Sequence, residues 1–420
     1  MKLCRSIMSL PLWIRGIIVT AMAFAISWIT VYDLMSISFF SPMEKAADFR
    51  FSDFYTLVAN DRAVKSLHPA ITIVNIDGCR RNEIATTLED IDYCMPAAIG
   101  LDVVFSEPRD TAGDLLSEVI TGIPDLILPV VAKDVGNGRY TIGHESYYDR
   151  FAPPAATFAA ANVEGEGEAR HTVRQFMPLF PSATPDEPPI PSLAYALVAK
   201  KSPEIAGKIN HRGCNDEALR YASRYFDIVD HDSVLHYPEK IEDKIVIVGK
   251  LHDIGDLHAT PLNNFTPGVL LHAYAAATML DGDLTRRLST RESWLIAGIA
   301  CYLVVLLSLK LSQHSLGDLI VRGAQLAALY LMITGGTMIY IRYNIDLDFA
   351  NAMLMTSLGV VACDLFNGIF ADDGIIISCR KKFLSLTIYV KTFTNELYKK
   401  CSFKNLDAST ANDDRGISGA

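Results

Sequence analysis

The chain has 420 residues, half of them hydrophobic, with a mean hydropathy of +0.22 and a formal net charge of −10. That apolar share exceeds what a soluble chain of this length usually carries, so part of it is expected in lipid. The acidic balance argues against nucleic acid as a partner, because phosphate binding needs a basic stripe.

In chain order, Lys2, Arg5 and Arg15 precede an uncharged apolar run over 16–32. Its length sits at the short end of the roughly 17–25 residues that span a bilayer. A retained transmembrane helix is favoured over a cleaved signal peptide, because no small-x-small site follows the run. Three further runs, 293–309, 319–341 and 349–370, are apolar on every face and read as transmembrane helices. Asp364 is the single charge in the last run.

The basic N-terminus marks residues 1–15 as cytoplasmic. The span count then places 33–292 outside the cytoplasm and 371–420 inside, where Arg380, Lys381 and Lys382 suit the rule. Arg286, Arg287 and Arg291 lie on the wrong side, but they end a long domain, and long domains translocate largely regardless of charge. The expected protein is a multi-pass cell-membrane protein with both termini cytoplasmic, and the lipid bilayer is its first partner. The tail is too short for a kinase or cyclase. Within it, 383–398 suggests an amphipathic helix and the last stretch reads as disordered.

The middle section alternates strand and helix signals. Residues 71–77 (ITIVNID) and 97–105 (AAIGLDVVF) are apolar runs flanking a helical pattern at 81–93, with Ile84, Leu88 and Ile91 on one face. This reads as β-α-β with parallel strands. A helix at 114–122, a strand at 125–132, a helix at 192–202, a buried strand at 244–249 and a helix at 268–281 follow. The stretch HTVRQFMPLF is expected to hold another strand. The fold class is therefore an α/β extracytoplasmic domain with a largely parallel sheet, plus one transmembrane helix before it and three after.

The pieces IVNID at 73–77, AIGLDVVF at 98–105, Asp114, SLAYAL at 192–197, KIVIVG at 244–249, Thr260–Pro261 and PGVLLHAYAAATML at 267–280 stand in a specific order. In that order and spacing the section resembles the second type of CHASE domain, the cyclase/histidine-kinase-associated sensory extracellular module. The resemblance covers most of 33–371 and includes the arrangement of one anchor before and three spans after. It implies sensing rather than catalysis. The chain departs from the common architecture in lacking the catalytic module that often follows the last span.

Several residues are candidates for a ligand site. Asp77 and Asp102 each close an apolar run; if their strands are adjacent, both carboxylates lie at the carboxyl edge of the sheet, where open α/β folds bind ligands. The alternative is that each fixes a turn or caps a helix. His252, Asp253, Asp256 and His258 fall in one loop but match no established metal motif, so no metal and no cofactor are expected. His272 is expected to be a satisfied core histidine, with ligand binding the alternative. Arg174 pairs either with an acidic ligand or, the favoured reading, with a surface carboxylate.

Cys79 and Cys94 bracket the predicted helix at 81–93. At a 1.5 Å rise per residue they stand roughly 20 Å apart, beyond disulfide reach. Pairing of either with Cys214 stays open. The eight cysteines form no CxxC pair. Arg322 and Asp364 fall at similar depth in the last two spans and are read either as an interhelical ion pair or as two snorkelling charges.

The leading function is a membrane-anchored sensor or receptor component. It answers to an unknown external ligand and signals to a separate protein. The alternative is an envelope assembly or scaffold protein. An external hydrolase is disfavoured, because no GxSxG, HExxH or P-loop occurs, so no enzyme is expected.

Overall fold

The computed structural model describes residues 7–29, 51–62, 64–107, 114–153, 156–163, 171–221, 224–311, 316–347 and 349–370. The expected tail, 371–420, with its amphipathic segment lies outside the described residues. Contacts divide the chain into two units. One holds Met1–Asp33, Trp294–Ala328 and Ala352–Ala420; the other holds Leu34–Ser293 and Leu329–Asn351.

Helix α1 (Leu12–Trp28) follows Pro11, whose carbonyl accepts from the Ile14 and Arg15 amides. It thus begins four residues before the expected run, with Arg15 in its first turn. Its 17 residues leave it at the short limit of a span. Helix α2 (Phe51–Arg62) then precedes strand β1 (Ser66–Asn75). After β1 come α3 (Arg81–Tyr93), β2 (Ala98–Leu101), α4 (Leu115–Gly122), β3 (Leu126–Gly136), β4 (Arg139–Gly143) and β5 (Thr157–Ala160). Short strands β6 (Gln175–Phe176), β7 (Leu179–Phe180) and β8 (Ile190–Pro191) lead into helices α5 (Leu193–Lys201) and α6 (Pro203–Arg212). The domain continues with β9 (Glu217–Ala218), β10 (Arg224–Asp230), β11 (Ile245–Gly249), β12 (Leu257–His258), β13 (Thr266–Pro267) and helix α7 (Gly268–Leu280).

The main sheet has seven strands in the order β10-β1-β11-β2-β3-β4, with β5 also pairing β3. From β10 across to β5 the pairings are parallel; only the β3–β4 hairpin is antiparallel. Asn137 and Gly138 both take left-handed φ at the hairpin turn, as tight hairpins require. Strand β11 (IVIVG) is buried along its whole length, the pattern of a strand covered on both faces. Helices α3 and α4 pack one face through Leu88, Ile91, Leu116 and Ile120. Helices α5 and α7 pack the other through Leu193, Leu197, Leu271 and Ala276.

β1 and β2 are parallel, as expected, with β11 lying between them, so the adjacency considered for Asp77 and Asp102 is not met. The predicted strand at 97–105 keeps only Ala98–Leu101, since its partner β11 ends at Gly249 and β3 pairs no further than Gly100.

After α7, strand β14 (Arg286–Arg287) leads into α8 (Thr290–Leu311), α9 (Gly317–Tyr343), β15 (Ile345–Asp346) and α10 (Ala350–Phe370). Helices α8, α9 and α10 are each long and apolar enough to cross a membrane. Within the first unit, a Cβ on Gly16 would run into Leu306 and Tyr302, and one on Gly359 would stand 3.0 Å from the Cys301 sulfur. Small residues at such crossings let helices approach closely without a hydrophobic driving force. In the same unit, Arg322 Nη2 donates to Asp364 Oδ2 at 2.7 Å. Cys79, Cys94 and Cys214 all carry free thiols.

Candidate functional site

The loop leaving β1 runs to α3 on one face of the sheet, and the loop leaving the neighbouring β11 runs to α7 on the other. Where adjacent parallel strands send their connections to opposite faces, a crevice opens at the carboxyl edge. Asp77 and His252 meet there. Asp77 Oδ2 lies 2.6 Å from His252 Nδ1, and its Oδ1 accepts the His252 amide at 3.2 Å. Burial works against charge on Asp77, but the hydrogen bonds from His252 prevail and hold its carboxyl below the usual range.

Asp102 follows β2, and its amide donates to the Val248 carbonyl at 2.8 Å. Its carboxylate faces His272 Nε2 of α7 at 3.6 Å, too long for a hydrogen bond. Burial pushes the Asp102 carboxyl up, and nearby Asp256 adds to the rise, against His272 and His258. Asp256 pairs with His258 at 3.1 Å and occupies the space a Cβ on Gly268 would fill, beside the N-terminus of α7. Asp253 is committed to its own turn: Oδ1 accepts the Gly255 amide and Oδ2 meets Lys250 Nζ at 3.1 Å. Among the described residues, no three His, Cys, Asp or Glu side chains gather as metal ligands.

The buried His272 ring also lines a cavity of about 110 Å³ on the α5–α7 side of the sheet. Leu271 and Ala275 of α7, Ala194 of α5, and Val173, Phe176 and Phe180 supply apolar wall. Gln175 of β6, Asp216 and Leu219 line it as well. The ribbon of β6 and β9 thus forms one side of the cavity, pairing Gln175 with Ala218 and Phe176 with Glu217.

The same ribbon grips three other segments, all within the second unit. Arg174, one residue before β6, meets Asp53 of α2 as a two-pronged pair, with Nε–Oδ1 at 2.7 Å and Nη2–Oδ2 at 2.9 Å. Gln175 Oε1 accepts from Arg287 Nη1 of β14 at 3.0 Å. Arg220, two residues after β9, stacks over the Tyr340 ring at 3.9 Å and donates to the Tyr340 carbonyl and to Asn344. The expected surface partner for Arg174 is corrected here. Both Arg174 and Asp53 are buried, because α2 covers the arginine from solvent.

Sequence reasoning located Asp77, Asp102, Arg174 and His272 but not Asp53, Gln175, Arg220 or Tyr340. None of the last four stands in a motif, and their partners lie about a hundred or more residues away in the chain.

An α/β domain with a carboxyl-edge crevice and a cavity, followed by helices fit to cross a membrane, has the build of a membrane-anchored sensory module. The family model for the CHASE2 domain matches residues 24–309, and the chain belongs to that family. The CHASE2 domain is an extracellular sensory domain. No curated protein and no solved structure matches the chain.

Proposed function

We propose that this chain is a membrane-anchored extracytoplasmic sensor that carries no enzyme and signals to a separate protein. A small molecule enters the α5–α7 cavity, and the β6–β9 ribbon carries its presence to α2, β14 and the 340–346 segment. The observation that carries this reading is the double use of one ribbon: Gln175 lines the cavity and also holds Arg287. A ligand shifts such an equilibrium only by touching the two states differently, and a ribbon shared by cavity and grip offers that difference. In this reading α1 is the fourth span, both termini are cytoplasmic and no metal or cofactor takes part.

Two measurements test it. Alkaline phosphatase fused after residue 150 is expected to be active and a fluorescent protein at the same place dark; the reverse pattern removes an extracytoplasmic domain. In the full chain in nanodiscs, filling the cavity with Ala275→Leu is expected to change hydrogen exchange at 174–176 and 340–346. Unchanged exchange there removes the relay.

One observation favours a second reading, a scaffold that binds another protein. Strand β10 is a sheet edge with Tyr225 and Ile228 exposed, and edge strands recruit partner strands. Stable copurification of a membrane partner that is lost on Ile228→Lys would support it.

A further inference from the structure

We infer that the α5–α7 cavity takes a small uncharged organic molecule with an apolar body, and discriminates against carboxylates and amines of the same shape. This rests on the sensor reading and names its ligand class.

Size comes first. A buried water needs roughly 10–15 Å³ of such space, while an apolar cavity of about 150 Å³ holds benzene. At about 110 Å³, this cavity is too large for a single water or ion and suits part of a small ring or branched chain.

The polar groups in the wall come second, and those of Asn162, Ser192 and Gln175 are already engaged inside the domain. The Asn162 amide is used at both ends by the Ala132 backbone, at 2.6 and 3.0 Å. Ser192 Oγ accepts the Tyr195 amide and caps α5. Gln175 Oε1 holds Arg287, and His272 Nε2 faces Asp102. Asp216 also has a partner. The remaining wall is aliphatic and aromatic, led by Phe176, Phe180 and Leu271. None of the described lining residues is Lys or Arg.

A carboxylate entering this space would give up its hydration with no cation among these residues to receive it. An ammonium would meet one acidic lining residue, Asp216, which already has an interaction inside the protein. Stripping a charge of water without compensation costs far more than burying a hydroxyl. An apolar body gains about 25 cal/mol for each Å² it removes from water. Together these terms select a neutral molecule that needs at most one hydrogen bond.

The test uses the full chain in nanodiscs and three matched probes: 4-fluorobenzyl alcohol, 4-fluorobenzoate and 4-fluorobenzylamine. Saturable binding is followed by fluorine NMR, with empty nanodiscs as the control for partition into lipid. The alcohol is expected to bind saturably, with both charged probes at least ten-fold weaker. Ala275→Leu, which fills the cavity from α7, and Phe176→Trp, which fills it from the half-buried ribbon, are each expected to weaken the alcohol at least ten-fold. Checking each variant's melting transition first keeps a misfolded variant from counting as a result.

A charged probe that binds as well as the alcohol and is lost in the filled variants overturns the ligand class and leaves the sensor reading standing. Alcohol binding that ignores both fillings, or no saturable alcohol binding, also overturns the class. The sensor reading is then judged separately by the fusion and exchange experiments.

Discussion

Arg174 and Asp53 meet as a buried two-pronged ion pair across 121 residues of chain, joining the start of β6 to α2. Removing one partner of such a pair leaves the other charge stranded, at a cost of about 3–5 kcal/mol. Arg174→Ala and Asp53→Ala are each expected to destabilise the second unit by that order, measured by chemical denaturation. The double change is expected to cost less than the sum of the singles. Strict additivity in that cycle would mean the two side chains do not support each other.

The Arg322–Asp364 contact makes a prediction in lipid. Translocon scales put a lone charge at the centre of a membrane helix at about 2.5–3.5 kcal/mol. Asp364→Arg places two cations side by side and is expected to lower folded yield and melting temperature in nanodiscs. The exchange Arg322→Asp with Asp364→Arg is expected to restore both. Failure of the exchange to rescue removes the pair as a stabilising contact.

Asp77 and Asp102 predict opposite pH dependences. The Asp77 carboxyl is lowered from 3.8, so its contribution is present above that value and is lost as pH falls through its folded pKa. Asp77→Asn is expected to flatten this acid limb, by less than about 1 kcal/mol because the partner His252 is largely exposed. The Asp102 carboxyl is raised from 3.8, so the folded state holds its proton longer and stability falls as pH climbs from 3.8 through the folded pKa. Asp102→Asn is expected to remove that fall. Denaturant midpoints across pH 3–7 read both effects; slopes that move together contradict the assignment.

The core between β2 and α5 supplies a fourth prediction. A Cβ on Gly100 would stand 3.0 Å from a Leu197 methyl and 3.1 Å from one of Leu193. Gly100→Val therefore overpacks the site and is expected to cost about 1–3 kcal/mol. Leu197→Ala empties it and is expected to cost about 2–5 kcal/mol. A shift in melting temperature of similar sign in both is the check.

Much of this fold was legible where burial is two-sided. ITIVNID and KIVIVG announce central strands because every residue meets a covered face. Ile84, Leu88 and Ile91 announce α3 because only one of its faces is buried. Strand ends were not legible, because a partner strand sets them: β2 stops where β11 and β3 stop supporting it. β10 (RYFDIVD) escaped because a half-exposed edge strand mixes charged with apolar residues.

The candidate site divides the same way. Asp77 and Asp102 are visible as carboxylates closing apolar runs. His252 and His272 were each visible as residues, yet their pairing with those carboxylates depends on where β11 and α7 settle. The grip on α2 depends on contacts that no local pattern encodes.

Strand β11 has a consequence for biosynthesis. It occupies the middle of the sheet, yet the ribosome delivers it about 180 residues after the start of β1. Until then β1 and β2 have no strand between them, and each presents a bare inward edge. Pairings of such long sequence separation form slowly and leave sticky intermediates. A nascent chain stalled before Ile245 should therefore lean on holdase chaperones and be cleared by proteases, while one that has also completed α7 should do so less.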